Sequence, residues 1–110
     1  MNNQLLNRLE GLNARFEEVS TLITDPAVIA DMKRFVKLNK EYSDLEKILA
    51  KRDEYRRVLN NIEEAKTILN TENDLDLREM AKMELEDLEP RVEPLEEEIK
   101  ILLIPADPED

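Results

Sequence analysis

Hydrophobic residues recur every three or four positions through the middle of the chain, along a stretch without proline or glycine that runs over residues 31–69. This spacing places apolar side chains on one face of an α-helix. The positions are Leu38, Tyr42, Leu45, Leu49, Tyr55, Leu59, Ile62 and Leu69. A subset repeats every seven residues, as in helices that pack along one another, and consists of Ile48, Tyr55, Ile62 and Leu69. A helix of this length would measure about 60 Å, so we predict that it forms half of an antiparallel hairpin.

Two shorter patterns of the same kind flank this stretch. The first predicts a helix over residues 3–23, although Gly11 inside it weakens the helix by ~1 kcal/mol relative to alanine. Its apolar stripe is Leu5, Leu9, Leu12, Phe16, Val19 and Ile23. The second predicts a helix over residues 74–103. Its apolar stripe is Ala81, Leu85, Leu88, Val92, Leu95, Ile99 and Leu102.

The connections between the helices carry capping signals. Asp25 followed by Pro26 predicts a short helical turn over residues 26–30. Asp31 and Asp74 are the expected N-caps of the second and third helices. The turn before Asp74 is short, which makes the two helices antiparallel neighbours. The predicted fold class is therefore all-α, a long antiparallel, coiled-coil-like hairpin with an additional N-terminal helix packed on it.

Pro90 and Pro94 fall on the outward face of the third helix. Each removes a backbone donor and crowds the carbonyl four residues earlier. One interpretation is a continuous helix that bends toward its partner, and the other is a true break with a new helix beginning at one proline. A break would use Glu89 or Glu93 as N-cap, and glutamate is not a favoured capping residue. We therefore favour the continuous, kinked helix.

The chain length of 110 residues suits one domain, which we assign to residues 1–104. Residues 105–110 contain two prolines and read as the start of a linker, so we expect a fragment of a longer protein. No apolar run approaches the ~20 residues of a membrane span, and the polar N-terminus is not a secretory signal. Without cysteine or any sign of secretion, the expected location is the cytoplasm.

Charge is distributed unevenly along the chain. The net charge of −11 lies entirely in residues 71–110, which hold 4 basic and 15 acidic side chains, whereas residues 1–70 hold 12 of each. We interpret the acidic third helix, including Glu96, Glu97 and Glu98, as a solvated face, and we do not expect the chain to bind nucleic acid by itself.

Candidate chemistry is scarce. The chain has no histidine or cysteine and a single glycine, which argues against the common general bases, thiol nucleophiles, zinc sites and phosphate-binding loops. We predict no catalytic, metal-binding or cofactor-binding residue. The candidate contact residues form a basic strip at the start of the long helix, Lys33, Arg34, Lys37 and Lys40. The alternative interpretation is a solvated face whose cations pair with acidic residues at helical spacing.

Several ordered segments resemble the N-terminal domain of the bacterial peptide chain release factor 1 family. These segments are residues 25–31, 34–35, 38–42, 80–81, 84–85 and 102–108. The resemblance implies that the full-length protein recognises the stop codons UAA and UAG and triggers hydrolysis of peptidyl-tRNA. The Gly-Gly-Gln loop and the Pro-x-Thr tripeptide that do this work in the family are absent from the chain.

The resemblance also implies a role for the domain and its partners. The family's first domain is a helical arm near the stalk base of the large ribosomal subunit and the class II release-factor GTPase. The chain would then be a positioning and partner-contact arm without enzymatic activity of its own. The alternative is a free-standing coiled-coil scaffold or chaperone-like interaction protein.

Overall fold

The computed structural model describes residues 3–105, which form helices and connecting turns without a β-strand. In chain order the helices are α1 (Gln4–Glu10), α2 (Asn13–Leu22), α3 (Pro26–Ala30), α4 (Met32–Thr71) and α5 (Leu75–Leu102). The molecule measures 64 × 26 × 21 Å, and its longest dimension matches the length of α4. α5 folds back along α4, so the predicted all-α antiparallel hairpin is confirmed.

Aspartate side chains begin three of the helices, as the sequence predicts. Asp25 accepts a hydrogen bond from the Ala27 N–H at 2.9 Å. Asp31 accepts from the Arg34 N–H at 3.3 Å, and Asp74 accepts from the N–H groups of the first turn of α5. Each carboxylate satisfies backbone donors that have no partner inside the helix, which places the helix starts where the sequence predicts them.

The core consists of two clusters along α4. The first lies between α1, α4 and α5 and contains Leu9, Ile48, Tyr55, Val58, Ile62, Leu88, Leu95 and Ile99. The second contains Val19, Val28, Leu38 and Leu45, with the rings of Phe16 and Tyr42 stacked 5.0 Å apart beside it. No residue of α5 contributes to the second cluster. The first part of α4 therefore packs on α2 and α3, and its later part packs on α5.

The predicted single helix over residues 3–23 is two helices, and the prediction of continuity is wrong. The Leu12 N–H donates to the Leu9 carbonyl at 3.1 Å. These residues are three apart in the chain, as in the tighter 3₁₀ turn, and not four apart as in an α-helix. Gly11 lies inside this turn, and glycine loses more backbone entropy in a helix than other residues do. The interruption also allows α1 and α2 to pack in different core clusters, because Leu9 of α1 belongs to the first cluster and Val19 of α2 belongs to the second.

α5 continues through Pro90 and Pro94, so the interpretation of a continuous helix is confirmed and the break is excluded. Both prolines are exposed on the side that faces away from α4. The nearby core residues Leu88 and Leu95 are still buried, and they belong to the seam, which is the apolar contact between α4 and α5. Burial of this seam offsets the cost of the two missing backbone donors.

Smaller differences concern the ends of elements. α4 ends at Thr71, two residues later than predicted, and α5 covers residues 75–102. Of the predicted linker over residues 105–110, the structure describes Pro105, and the remainder lies outside the described residues. Within residues 3–105, no helix is long and apolar enough to cross a membrane.

Candidate partner-contact surface

The basic strip occupies the first turns of α4, immediately after the Asp31 cap. Leu38 and its neighbours on the apolar stripe face α2 and α3. Lys33, Lys37 and Lys40 lie off this stripe, whereas Arg34 precedes Leu38 by four residues and borders it. All four side chains are exposed in the structure, namely Lys33, Arg34, Lys37 and Lys40. The structure therefore presents the residues singled out from the sequence on one accessible surface.

Three cations of the strip have no ionic partner in the part of the chain that the structure describes. Lys40 pairs with Asp44 at 3.2 Å, but the side chains of Lys33, Arg34 and Lys37 make no ion pair or hydrogen bond there. Further along α4, some basic residues are paired. Lys51, for example, pairs with Glu54 and with Glu98 of α5, both at 3.3 Å. Lys47 and Arg57 make no ion pair within residues 3–105, so unpaired cations are not confined to the start of α4.

The neighbouring acidic residues explain why these cations are unpaired. Glu41 lies four residues after Lys37, at the distance of an ordinary helical ion pair, but both of its oxygens bind Arg15 of α2 at 2.6 Å. The bond from Arg15 holds the pKa of Glu41 below its usual value and raises that of Arg15. Asp31 instead caps the backbone of α4 at Arg34.

Exposed apolar side chains lie beside the unpaired cations, and sequence reasoning missed them. Met32 is 68% exposed and Val36 is 59% exposed, and Ile29 of α3 is 47% exposed nearby in the chain. The sequence could have indicated that Met32 and Val36 are exposed on one side of α4, because they lie four residues apart and outside the core stripe. The surface therefore combines positive charge with apolar area.

The acidic face of α5 is less uniform than the sequence suggests. Glu97 is exposed, but Glu96 accepts a hydrogen bond of 2.7 Å from the Tyr55 hydroxyl, and Glu98 binds Lys51. Asn3 in turn donates to the Tyr55 oxygen at 2.9 Å. Burial and the bond to Glu96 raise the pKa of Tyr55. This arrangement joins α1, α4 and α5, and its geometry gives Glu96 and Glu98 structural contacts.

Acidic residues are numerous, but the arrangement of those within residues 3–105 offers no site for a metal ion. Among residues 3–105, no group of three or more histidine, cysteine, aspartate or glutamate side chains converges in this way. The chemistry that the described surface supports is recognition through charge and apolar contact.

The described part of the chain is a long helical hairpin with α2 and α3 packed at one end, and its exposed, unpaired cations at that end are typical of an interaction domain. The model of the PCRF domain matches residues 12–110, and the chain belongs to this family. It is 67% identical to peptide chain release factor 1 of Parabacteroides distasonis over 108 residues, which are 98% of this chain and 29% of that protein. The predicted resemblance to release factor 1 is confirmed.

More distant relatives carry the same name. The chain is 62% identical to peptide chain release factor 1 of Bacteroides fragilis, with 99% of this chain and 30% of that protein covered. It is 52% identical to peptide chain release factor 1 of Clostridioides difficile, with 96% and 30% covered. The chain thus spans about 30% of the length of these curated relatives. No solved structure matches it.

Proposed function

We propose that the chain is the helical domain of a peptide chain release factor and acts in translation termination. The observation that carries this proposal is the 67% identity to a release factor 1 over 98% of the chain. We assign the domain to residues 1–104 and the start of a linker to residues 105–110. The proposed location is the cytoplasm, where termination takes place in bacteria.

In this proposal the chain positions the factor and contacts a partner, and other parts of the factor perform codon reading and hydrolysis. The single glycine of the chain cannot form a Gly-Gly-Gln loop. The described part of the molecule is a 64 Å arm, which can reach a partner distant from the reacting ester. The chain by itself is therefore proposed to be non-enzymatic.

The proposed contact residues are Lys33, Arg34, Lys37 and Lys40. Their exposure and the scarcity of nearby partners support an intermolecular role. The acidic α5 is less suited to approach the ribosome, because its carboxylates would repel phosphate at contact distance even in salt. The proposed partners of the complete factor are the stalk base of the large ribosomal subunit and the class II release-factor GTPase.

A chimeric factor tests the proposal directly. In release factor 1 of Parabacteroides distasonis, this chain replaces the segment to which it is similar. We expect the chimera to release peptide at UAA and UAG at a rate close to that of the parent, because the domain supplies an equivalent arm. A folded chimera that has lost ribosome association would contradict the proposed role.

Charge reversal in the same chimera tests the contact surface. Lys33→Glu with Lys37→Glu should weaken ribosome association, and the effect should grow at low salt because exposed charges are then screened less. The matched control is Glu86→Lys with Glu93→Lys on α5, where both carboxylates are exposed and make no ion pair within residues 3–105. If the control variant is the more damaging of the two, the basic strip is a solvated face.

A further inference from the structure

The start of α4 carries two parallel rows of exposed side chains. Met32 and Val36 form an apolar row, and Lys33 and Lys37 form a cationic row. Residues four apart lie on the same side of a helix, and the one-residue offset turns the second row by about 100°. We call these four residues the docking surface.

We infer that the docking surface binds an amphipathic helix of a partner protein, whose apolar stripe is bordered by acidic residues. This inference rests on the proposed function for its ribosomal setting, and it names the chemical class of the partner. An apolar row beside a cationic row fits a partner helix that carries an apolar row beside a row of carboxylates. Amphipathic helices are recognised by other proteins in the same way.

The apolar row distinguishes a protein partner from RNA. Met32 and Val36 are 68% and 59% exposed, and covering them with another apolar surface removes that area from water, which is favourable. Methionine also adapts its shape to a docking helix. RNA is bound mainly through phosphate contacts to cations and through stacking of bases on aromatic side chains, and neither uses aliphatic side chains of this kind.

The cationic row sets the charge of the partner. Lys33 and Lys37 have no ionic partner among the described residues, since Glu41 is held by Arg15 and no acidic residue lies three or four positions from Lys33. A partner carboxylate can therefore pair with them without breaking an existing contact. Complementary charge of this kind accelerates association and selects among partners.

The other end of the molecule provides a natural comparison. Met80 and Met83 of α5 are 65% and 63% exposed, which is close to the exposure of the apolar row on α4. Their surroundings are acidic and include Glu79 and Glu84. An acidic helix is repelled there, so the two surfaces separate the effect of charge from that of apolar exposure.

Binding is measured on the 110-residue chain by fluorescence anisotropy with four synthetic probes. The first is a helical peptide of about 20 residues with a leucine stripe bordered by glutamate. The second replaces glutamate by lysine, the third replaces leucine by serine, and the fourth is an RNA hairpin. We expect the first probe to bind at least about tenfold more tightly than each of the others at physiological salt, because it alone satisfies both rows.

Three double variants assign the binding to the docking surface. Met32→Ser with Val36→Ser should weaken binding of the acidic peptide about tenfold, and so should Lys33→Ser with Lys37→Ser. Met80→Ser with Met83→Ser should leave it unchanged. All six side chains are exposed, so the fold should be retained, and circular dichroism checks the helical content.

Two results would overturn the inference. One is preferential binding of the RNA hairpin, lost in the lysine variant and steeply reduced by salt. The other is wild-type binding of the acidic peptide by the Met32/Val36 variant. The chimeric release assay fails or succeeds independently of these peptide measurements, so failure of the inference and failure of the proposed function are distinguishable.

Discussion

Tyr55 has two roles that belong to different ends of one side chain. Its ring lies in the core, as the apolar pattern predicts, and its hydroxyl donates to Glu96 and accepts from Asn3. A buried tyrosine usually finds a hydrogen-bond partner, but the sequence does not show which one. The three residues are far apart in the chain, and the hairpin brings them together.

Removal of the Tyr55 hydroxyl should therefore destabilise the domain. For Tyr55→Phe we expect a loss of ~1 kcal/mol in the free energy of unfolding, the usual value of a hydrogen bond with a partly accessible partner. Urea denaturation measures it. Tyr42→Phe is the matched control, because the Tyr42 hydroxyl makes no hydrogen bond within residues 3–105, and it should change stability little. Equal effects of the two changes would show that the Tyr55 hydroxyl contributes nothing specific.

The bond between Arg15 and Glu41 predicts a pH dependence of stability. Arg15 lowers the pKa of Glu41 from the ordinary value of 4.5, so ionised Glu41 stabilises the fold at pH above that value. The contribution is lost as the pH falls through the lowered pKa of the folded state. Both side chains are more than one third exposed, so the contribution at neutral pH is at most ~1 kcal/mol.

Glu41→Gln should accordingly lower the melting temperature at pH 7, and the difference from the wild type should shrink as the pH is lowered below about 4.5. Thermal unfolding followed by circular dichroism over this range measures the effect. Arg15→Gln supplies the background control, in which Glu41→Gln should have little effect at any pH. A constant difference from neutral to acidic pH would rule out the pairing as its cause.

At the scale of the elements, α5 contains an unfavourable feature that its packing tolerates. Pro90 is exposed in the middle of the helix and lacks the backbone donor for the carbonyl of Glu86. Pro90→Ala restores this hydrogen bond and removes the steric conflict. We expect the free energy of unfolding to rise by up to ~3 kcal/mol, the difference in helix propensity between the two residues. A lower stability, measured by urea denaturation, would mean that the fold requires the proline.

The seam between α4 and α5 predicts the opposite effect at the neighbouring Leu88. This side chain is 5% exposed in the first core cluster, and Leu88→Ala should cost ~2–5 kcal/mol. Met83→Ala, at a position that is 63% exposed on the same helix, is the control and should have little effect. If both variants melt like the wild type, Leu88 does not belong to the seam.

At the scale of the whole molecule, α4 spans nearly the full length of 64 Å. Its start, with the docking surface, and the turn into α5 are therefore at opposite ends. The basic strip lies at the end covered by α2 and α3, whereas α5 carries more acidic residues than any other helix. This separation of charge agrees with the proposal that the α3–α4 end of the domain meets the partner.

The isolated chain should not release peptide from ribosomes at any stop codon. It can form no Gly-Gly-Gln loop, and the basis of its proposed role is contact with a partner. A ribosomal release assay with the 110-residue chain tests this, with the chimeric factor as the positive control. Codon-dependent release above background by the chain alone would contradict the division of labour that we propose.

The sequence by itself determined the helices, their caps and the hairpin. The reason is that apolar periodicity and capping aspartates act locally, within one or two turns of the residues concerned. It also indicated the release factor family and the basic strip. It did not reveal the interruption at Gly11, because an unbroken apolar stripe is compatible with one helix or two.

Tertiary structure alone decided which charges pair between helices. Arg15 lies 26 residues from Glu41, and Lys51 lies 47 residues from Glu98, so their pairing depends on which helix faces which. The same packing leaves Lys33 and Lys37 unpaired and Met32 and Val36 exposed. Helical spacing alone assigns Glu41 to Lys37, but in the folded domain Glu41 binds Arg15, because α2 packs against α4 and places a bidentate donor beside it.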